Sequence, residues 1–203
     1  SGLRYLTRGQ VLELMDVTSE SSIWGDRDRW TRALTEYPLV RDVELGRRVP
    51  GTLVVNVVER RPVALVPTPL LEPVDAEGVR LPIDPAKYRL DLPVVASGEL
   101  VAPGSRLVPA STRSLLGQVG RLMEADTAVL QMVAEVEWTE SGTLVARWSE
   151  PAVDFLLRPG VSPRRVREGI TVLTDAMGRG RSPLEIDLRY ADQVVVRRTD
   201  HNR

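Results

Sequence analysis

The spacing of apolar residues changes along this chain, and the changes mark out its elements. Thr7 followed by Gln10 is a capping-box pattern, and Val11, Leu12, Leu14 and Met15 supply an apolar stripe behind it, so a short helix is predicted. A second helix follows "WGDRD", capped by Asp26 or Asp28, with Trp30, Ala33, Leu34 and Tyr37 on one face and Pro38 as its stop. The period then drops to two. Val43 and Leu45 point one way, Pro50-Gly51 make a turn, and Leu53, Val55 and Val57 share a face, which predicts a hairpin. The order helix, helix, strand, strand leaves Ser1-Gly2 where a preceding strand would end.

After Pro67 the chain becomes dense in Pro and acidic turn residues, with Asp75 to Gly78 as a turn between short strands. A helix is predicted over "STRSLLGQVGRLM", with Leu115, Leu116, Val119, Leu122 and Met123 inward. "VEWTESGTLVARW" reads as a hairpin turning at Ser141-Gly142, and "VDFLLRPG" as a further strand. Ser162 caps another helix, with Pro163 in its first position and Val166, Ile170, Leu173 and Met177 on one face up to Gly178. The chain closes on "SPLEIDLRYADQVVVRR", read as two strands facing each other across a short turn. Leu184, Ile186 and Leu188 form the core face there, Glu185, Asp187 and Arg189 the other, and Val194 to Arg198 make a last strand with an unpaired edge. Such an edge invites another strand to add to it.

Composition narrows the field without choosing a function. An apolar content of 42% with 27% charged residues is ordinary for one or two globular domains in 203 residues. The 27 basic and 28 acidic side chains nearly cancel, which gives no general attraction to nucleic acid or to an acidic membrane surface. Cysteine is absent, so there is neither a disulfide framework nor a thiolate metal site. No apolar run approaches the roughly 20 residues of a membrane span, and no signal peptide is visible.

Candidate chemistry is thin. The single histidine, His201, sits in a polar tail of residues 200–203 where it cannot hold catalytic geometry. Asp75 with Glu77, or Asp84, has the composition of an acid/base pair, but turn chemistry explains Asp75 and Asp84 better. No metal-ligand spacing occurs, and "GRGRS" at 178–182 fits a helix C-terminal cap better than a phosphate loop. Trp24, Trp138 and Trp148 fit core or cross-strand positions better than a ligand platform. Arg47, Arg48, Arg60 and Arg61 make a basic stripe on the first hairpin, either a solvated face or a docking surface. Asp187, a carboxylate in an apolar strand, needs an ion-pair or turn partner.

The stretch "LTEYPLVRDVELGRRVPGTLVVNVVERRPVAL" resembles the end of the POTRA domain in the FtsQ/DivIB family of bacterial cell-division proteins, through Pro38, Val40, Pro50, Thr52, Leu53, Glu59, Arg60, Pro62 and Ala64. "PVDAEGVRLP" is similar to that family's opening of the β domain, and "EIDLRYADQVVV" to its closing motif, although Gln193 stands where the family usually has Gly in the turn. The fold expected is α+β. A POTRA-like domain lacking its first strand covers residues 1–65, and a mainly antiparallel β domain with two helices packed on the sheet covers residues 66–199.

The resemblance further implies a cytoplasmic tail and one transmembrane helix upstream, this part lying outside the cytoplasm at the septum. It implies no enzyme activity and no cofactor, but scaffolding that binds FtsB/DivIC-type and FtsL-type proteins by strand addition and helps control septal peptidoglycan synthesis. The binding residues expected on this reading are Arg189, Tyr190, Asp192, Gln193, Val194, Val195 and Val196, with Tyr190 as aromatic anchor and Arg189 paired to an acidic partner residue. Arg47, Arg48 and Arg61 are the expected recruitment surface towards other divisome components. The rival readings are a POTRA-containing outer-membrane assembly or secretion component that receives extended substrates, and an unrecognised cell-wall enzyme.

Overall fold

A computed structural model describes residues 3–18, 21–22, 24–68, 70–96, 101–102, 104–125 and 132–198. Helix α1 (Arg8–Leu14) starts at Thr7, whose hydroxyl accepts from the Gln10 N–H while the Gln10 side chain accepts from the Thr7 N–H. Helix α2 (Arg27–Thr35) is capped by Asp26, which accepts from the N–H groups of Asp28 and Arg29. Trp30 and Leu34 turn inward from it. Strands β1 (Val40–Arg48) and β2 (Thr52–Glu59) pair antiparallel in register from Arg48 opposite Thr52 to Val40 opposite Glu59. These elements close over Met15, Trp30, Leu34, Val40 and Leu45. Glu59 then ties the start of the chain down, its carboxylate accepting from the N–H groups of Arg4, Tyr5 and Leu6.

The remaining strands are β3 (Ala64–Pro67), β4 (Leu71–Val74), β5 (Val94–Ala96), β6 (Val133–Trp138), β7 (Leu144–Ser149), β8 (Ala152–Leu157), β9 (Glu185–Asp187) and β10 (Val195–Arg197). They form one sheet in the order β10-β9-β8-β7-β6-β5-β3-β4. Four pairings are antiparallel, and β3–β5, β5–β6 and β8–β9 are parallel. Parallel neighbours need a crossover, and helices supply two of them. Helix α3 (Ala110–Ala125) lies between β5 and β6, and α4 (Pro163–Gly178), capped by Ser162, lies between β8 and β9. Both bury into the same core, α3 through Leu115, Leu116 and Val119 and α4 through Val166 and Leu173, against Val136, Ala146, Phe155 and Ile186 of the strands. The expected inward positions Leu122 and Met123 fall within α3, but their side chains, like His201 and the 200–203 tail, lie outside what the structure describes.

Turn chemistry follows the residues. Asp75 accepts from the N–H groups of Glu77 and Val79, and Gly78 adopts φ +83°, a conformation natural to glycine. Gly142 closes the β6–β7 hairpin at φ +75°. Helix α4 ends in a cap where Arg181 N–H and Gly180 N–H return to the carbonyls of Ala176 and Met177. Three expectations need correction. Trp24 is not in the core but 70% exposed, with the Arg47 guanidinium 5.2 Å from its ring centroid. Met177 and Leu184, expected on core faces, are each about half exposed because they line an open cleft with Leu173 and Pro183. The two terminal strands are joined by residues 188–194 rather than by a short turn.

Candidate protein-binding site

The sheet has two edges, and they differ. Along β4, the chain turns back at Asp75 to Gly78 and covers the strand: Val74 bridges to Arg80, Leu81 N–H donates to the Pro73 carbonyl at 2.8 Å, and Asp75 N–H to Val79 at 3.1 Å. At the other end, among the described residues, β10 pairs only with β9, through Val195–Asp187, Val196–Ile186 and Arg197–Glu185. Alternate backbone groups of β10 therefore face away from the sheet. Val194 and Val196 pack partly on the core and hold the strand in place.

Two arginines fix the approach to this edge. Arg189, within "DLRY", donates through Nε and Nη2 to both carboxylate oxygens of Asp187 at 2.9 and 2.6 Å, and through Nη1 to the Thr143 hydroxyl at 3.3 Å. Asp187 is fully buried, and the Arg189 hydrogen bonds hold its pKa below the usual carboxylate value against the upward push of burial. The sequence requirement that Asp187 have a partner is met two residues along, just beyond the end of β9. The Arg189 head group is thus engaged internally while its side chain keeps 35% exposure.

Arg165, in the first turn of α4, makes contacts with this segment that pattern reading missed. Its side chain is 14% exposed, and Nη2 donates to the carbonyls of Tyr190 and Gln193 at 2.8 and 2.5 Å while Nη1 meets Glu168 at 2.8 Å. One guanidinium thus clasps the 188–194 connection to the helix. The clasp also disposes of the Gln193 departure: with the connection spread over several residues, Gln193 has no positive φ. Tyr190 emerges from this clasped segment 48% exposed, with Asp192 and Gln193 exposed beside it. A core-filling role for Tyr190 is inconsistent with that exposure.

The other expected surface is split. Arg47 and Arg48 sit near the tip of the first hairpin, opposite Leu53 and Thr52, whereas Arg61 lies past the far end where Val40 meets Glu59. At about 3.3 Å per strand residue the two groups are roughly 20 Å apart. Arg60 leaves the stripe altogether, pairing with buried Asp75 at 2.5 Å and with Glu77 at 3.2 Å. For chemistry there is little: among the described residues no group of three or more His, Cys, Asp or Glu is placed to hold a metal, and no helix is long and apolar enough to cross a membrane. Asp75 is an ion-paired turn residue, and Asp84 accepts from the N–H groups of Ala86 and Lys87.

These features define a class, a helix-helix-hairpin unit joined to a mixed sheet that ends in an open edge. Residues 1–60 match the family model described as POTRA domain, FtsQ-type. The chain is 26% identical over 203 residues to "Cell division protein FtsQ" of Geotalea daltonii, a match covering 98% of this chain and 73% of the relative. It is 34% identical over 117 residues to the protein of that name from Myxococcus fulvus, covering 57% of this chain and 40% of the relative, and 23% identical over 149 residues to "Cell division protein DivIB" of Geobacillus kaustophilus, covering 68% and 50%. The chain thus spans from about two fifths to three quarters of the length of these relatives. In its first 60 residues and along nearly its whole length the chain is thus similar to FtsQ/DivIB cell-division proteins, in agreement with the resemblance of its three sequence motifs.

Proposed function

We propose that this chain is the extracytoplasmic part of a single-pass inner-membrane protein and acts in the divisome as a scaffold rather than as an enzyme. In this reading β10 receives an extended strand from an FtsB/DivIC-type protein held with its FtsL-type companion, and the complex helps control septal peptidoglycan synthesis. Tyr190, Asp192, Gln193, Val194, Val195 and Val196 form the contact surface. The observation that carries the reading is the asymmetry of the sheet: one edge is covered at Pro73 to Asp75 by the chain's own return, and the other, beside half-exposed Tyr190, is left open by the described residues. Strand addition gains main-chain hydrogen bonds worth about 0.5–1.5 kcal/mol net each, and a desolvated Tyr at their end adds an anchor.

The test is calorimetric titration of the cognate FtsB/DivIC-type extracytoplasmic part. Tyr190→Ala and proline at Val195 or Val196 are expected to weaken binding by about 2 kcal/mol or more, while thermal melts of the large core stay near wild type. Unchanged binding by a folded Tyr190→Ala protein removes the anchor, and unchanged binding by both proline variants removes the edge. Recruitment by the POTRA unit is assigned to Arg47, Arg48 and Arg61. Because the structure separates them, reversal to Glu is made at each end in turn; lost septal localisation with partner binding intact supports the assignment, and normal localisation of both variants ends it.

A further inference from the structure

The face of the large sheet turned away from α3 and α4 carries a row of charges in cross-strand register. Glu135 of β6 lies opposite Arg147 of β7, Arg147 opposite Asp154 of β8, Asp154 opposite Glu185 of β9, and Glu185 opposite Arg197 of β10. Arg147 shows what an arginine does inside this row. It meets Glu135 at 2.9 Å on one flanking strand and Asp154 at 3.8 Å on the other, and also contacts Glu137. Those carboxylates hold the guanidinium pKa above its usual value. Arg197 repeats the arrangement on one side only: it meets Glu185 at 2.8 Å and reaches towards Asp187 at 4.0 Å, and its side chain stays 55% exposed. On its outer side the sheet ends, and among the described residues no strand flanks it there. The adjoining row on the helix side is apolar throughout, from Val136 through Ala146, Phe155 and Ile186 to Val196.

Building on the strand-addition reading, we propose that the incoming strand is selected by register, with an acidic residue opposite Arg197 and an adjacent apolar residue opposite Val196. An arginine has five donors in a planar fork, enough to serve a carboxylate on each side as Arg147 does. An acid there completes the row, and a basic residue there meets like charge across the pair. The apolar neighbour extends the core row over Val196 and shields it from water. A slip of one residue would set the acid against Val196 and the apolar side chain against Arg197, so the two rows together fix the register.

The experiment titrates the full chain with the cognate FtsB/DivIC-type extracytoplasmic part, using Arg197→Glu, Arg197→Gln and the proline variants at Val195 and Val196, each checked by a thermal melt. Arg197→Glu is expected to weaken binding about tenfold and Arg197→Gln less, the wild-type affinity falling as salt rises. Acid-to-Arg changes are then scanned through the partner strand. One of them should restore binding to Arg197→Glu while weakening binding to the wild type, an outcome that a merely destabilised edge cannot produce. Abolished binding by the proline variants with wild-type affinity in Arg197→Glu, or no restoring acid, overturns the register proposal and leaves strand addition standing. Unchanged binding by both proline variants removes both.

Discussion

At the scale of single residues, the chain handles its buried charges by pairing them with arginines. The case with the clearest consequence is Asp187, whose folded-state pKa is depressed by Arg189. A depressed carboxylate contributes stability above its unfolded value, about 3.9, and loses it as pH falls through the lower folded value. Asp187→Asn is therefore expected to cost stability at neutral pH, with the difference from wild type shrinking as denaturation is followed into the acid range. A gap independent of pH would assign the cost to shape alone. Arg60→Ala leaves Asp75, 2% exposed, without its cation, and is expected to cost about 3 kcal/mol by chemical denaturation. The need of Asp187 for a partner was legible because a carboxylate in an apolar strand is rarely tolerated alone, and Arg189 stands two residues along, just beyond the end of β9. Trp24 was misjudged because the guanidinium it meets, Arg47, comes from the distant hairpin, and no local spacing signals that contact.

At the scale of elements, the helices and hairpins were legible because capping residues and periodicity are local. Thr7, Asp26 and Ser162 cap where the sequence says they should. The parallel pairings were not legible: they follow from where α3 and α4 carry the chain, and short β5 has no pattern of its own. The clasp was hidden for the same reason, since Arg165 bonds carbonyls of residues 190 and 193 that any residue type would offer. Arg165→Met is expected to leave the helix intact but to speed amide exchange in residues 188–194 and weaken partner binding; unchanged exchange there would deny it a positioning role. Helix α4 also meets the sheet at Gly169, where an added Cβ would stand 2.7 Å from Leu188 Cδ1 and 3.1 Å from Phe155 Cε1. Gly169→Ala is expected to lower stability by about 1–3 kcal/mol, read as a fall in melting temperature.

At the scale of the whole molecule, the two units share a seam that the change of texture after Pro67 does not reveal. Val79, Leu81 and Ile83, which follow β4, bury into the core of the first unit, and the Tyr88 ring stands edge-on to Tyr5 at 5.1 Å between centroids. Arg106 reaches the carbonyl of Glu36 at 3.1 Å, beyond the end of α2. Residues 79–90 thus pack with both units expected on either side of residue 65. Leu81→Ala is expected to cost about 2–4 kcal/mol and to lower the melting of both units together. The same return of the chain covers the end of the β4 edge, so among the described residues β10 is the open edge of the sheet. The central claim is that a partner strand adds there, and amide hydrogen exchange across residues 194–198, with and without the FtsB/DivIC-type part, tests it most directly. The account predicts that amides of β10 exchanging freely in the lone protein become protected on binding, as outward N–H groups find acceptors. Binding at full affinity that leaves every amide of 194–198 exchanging as before would contradict it.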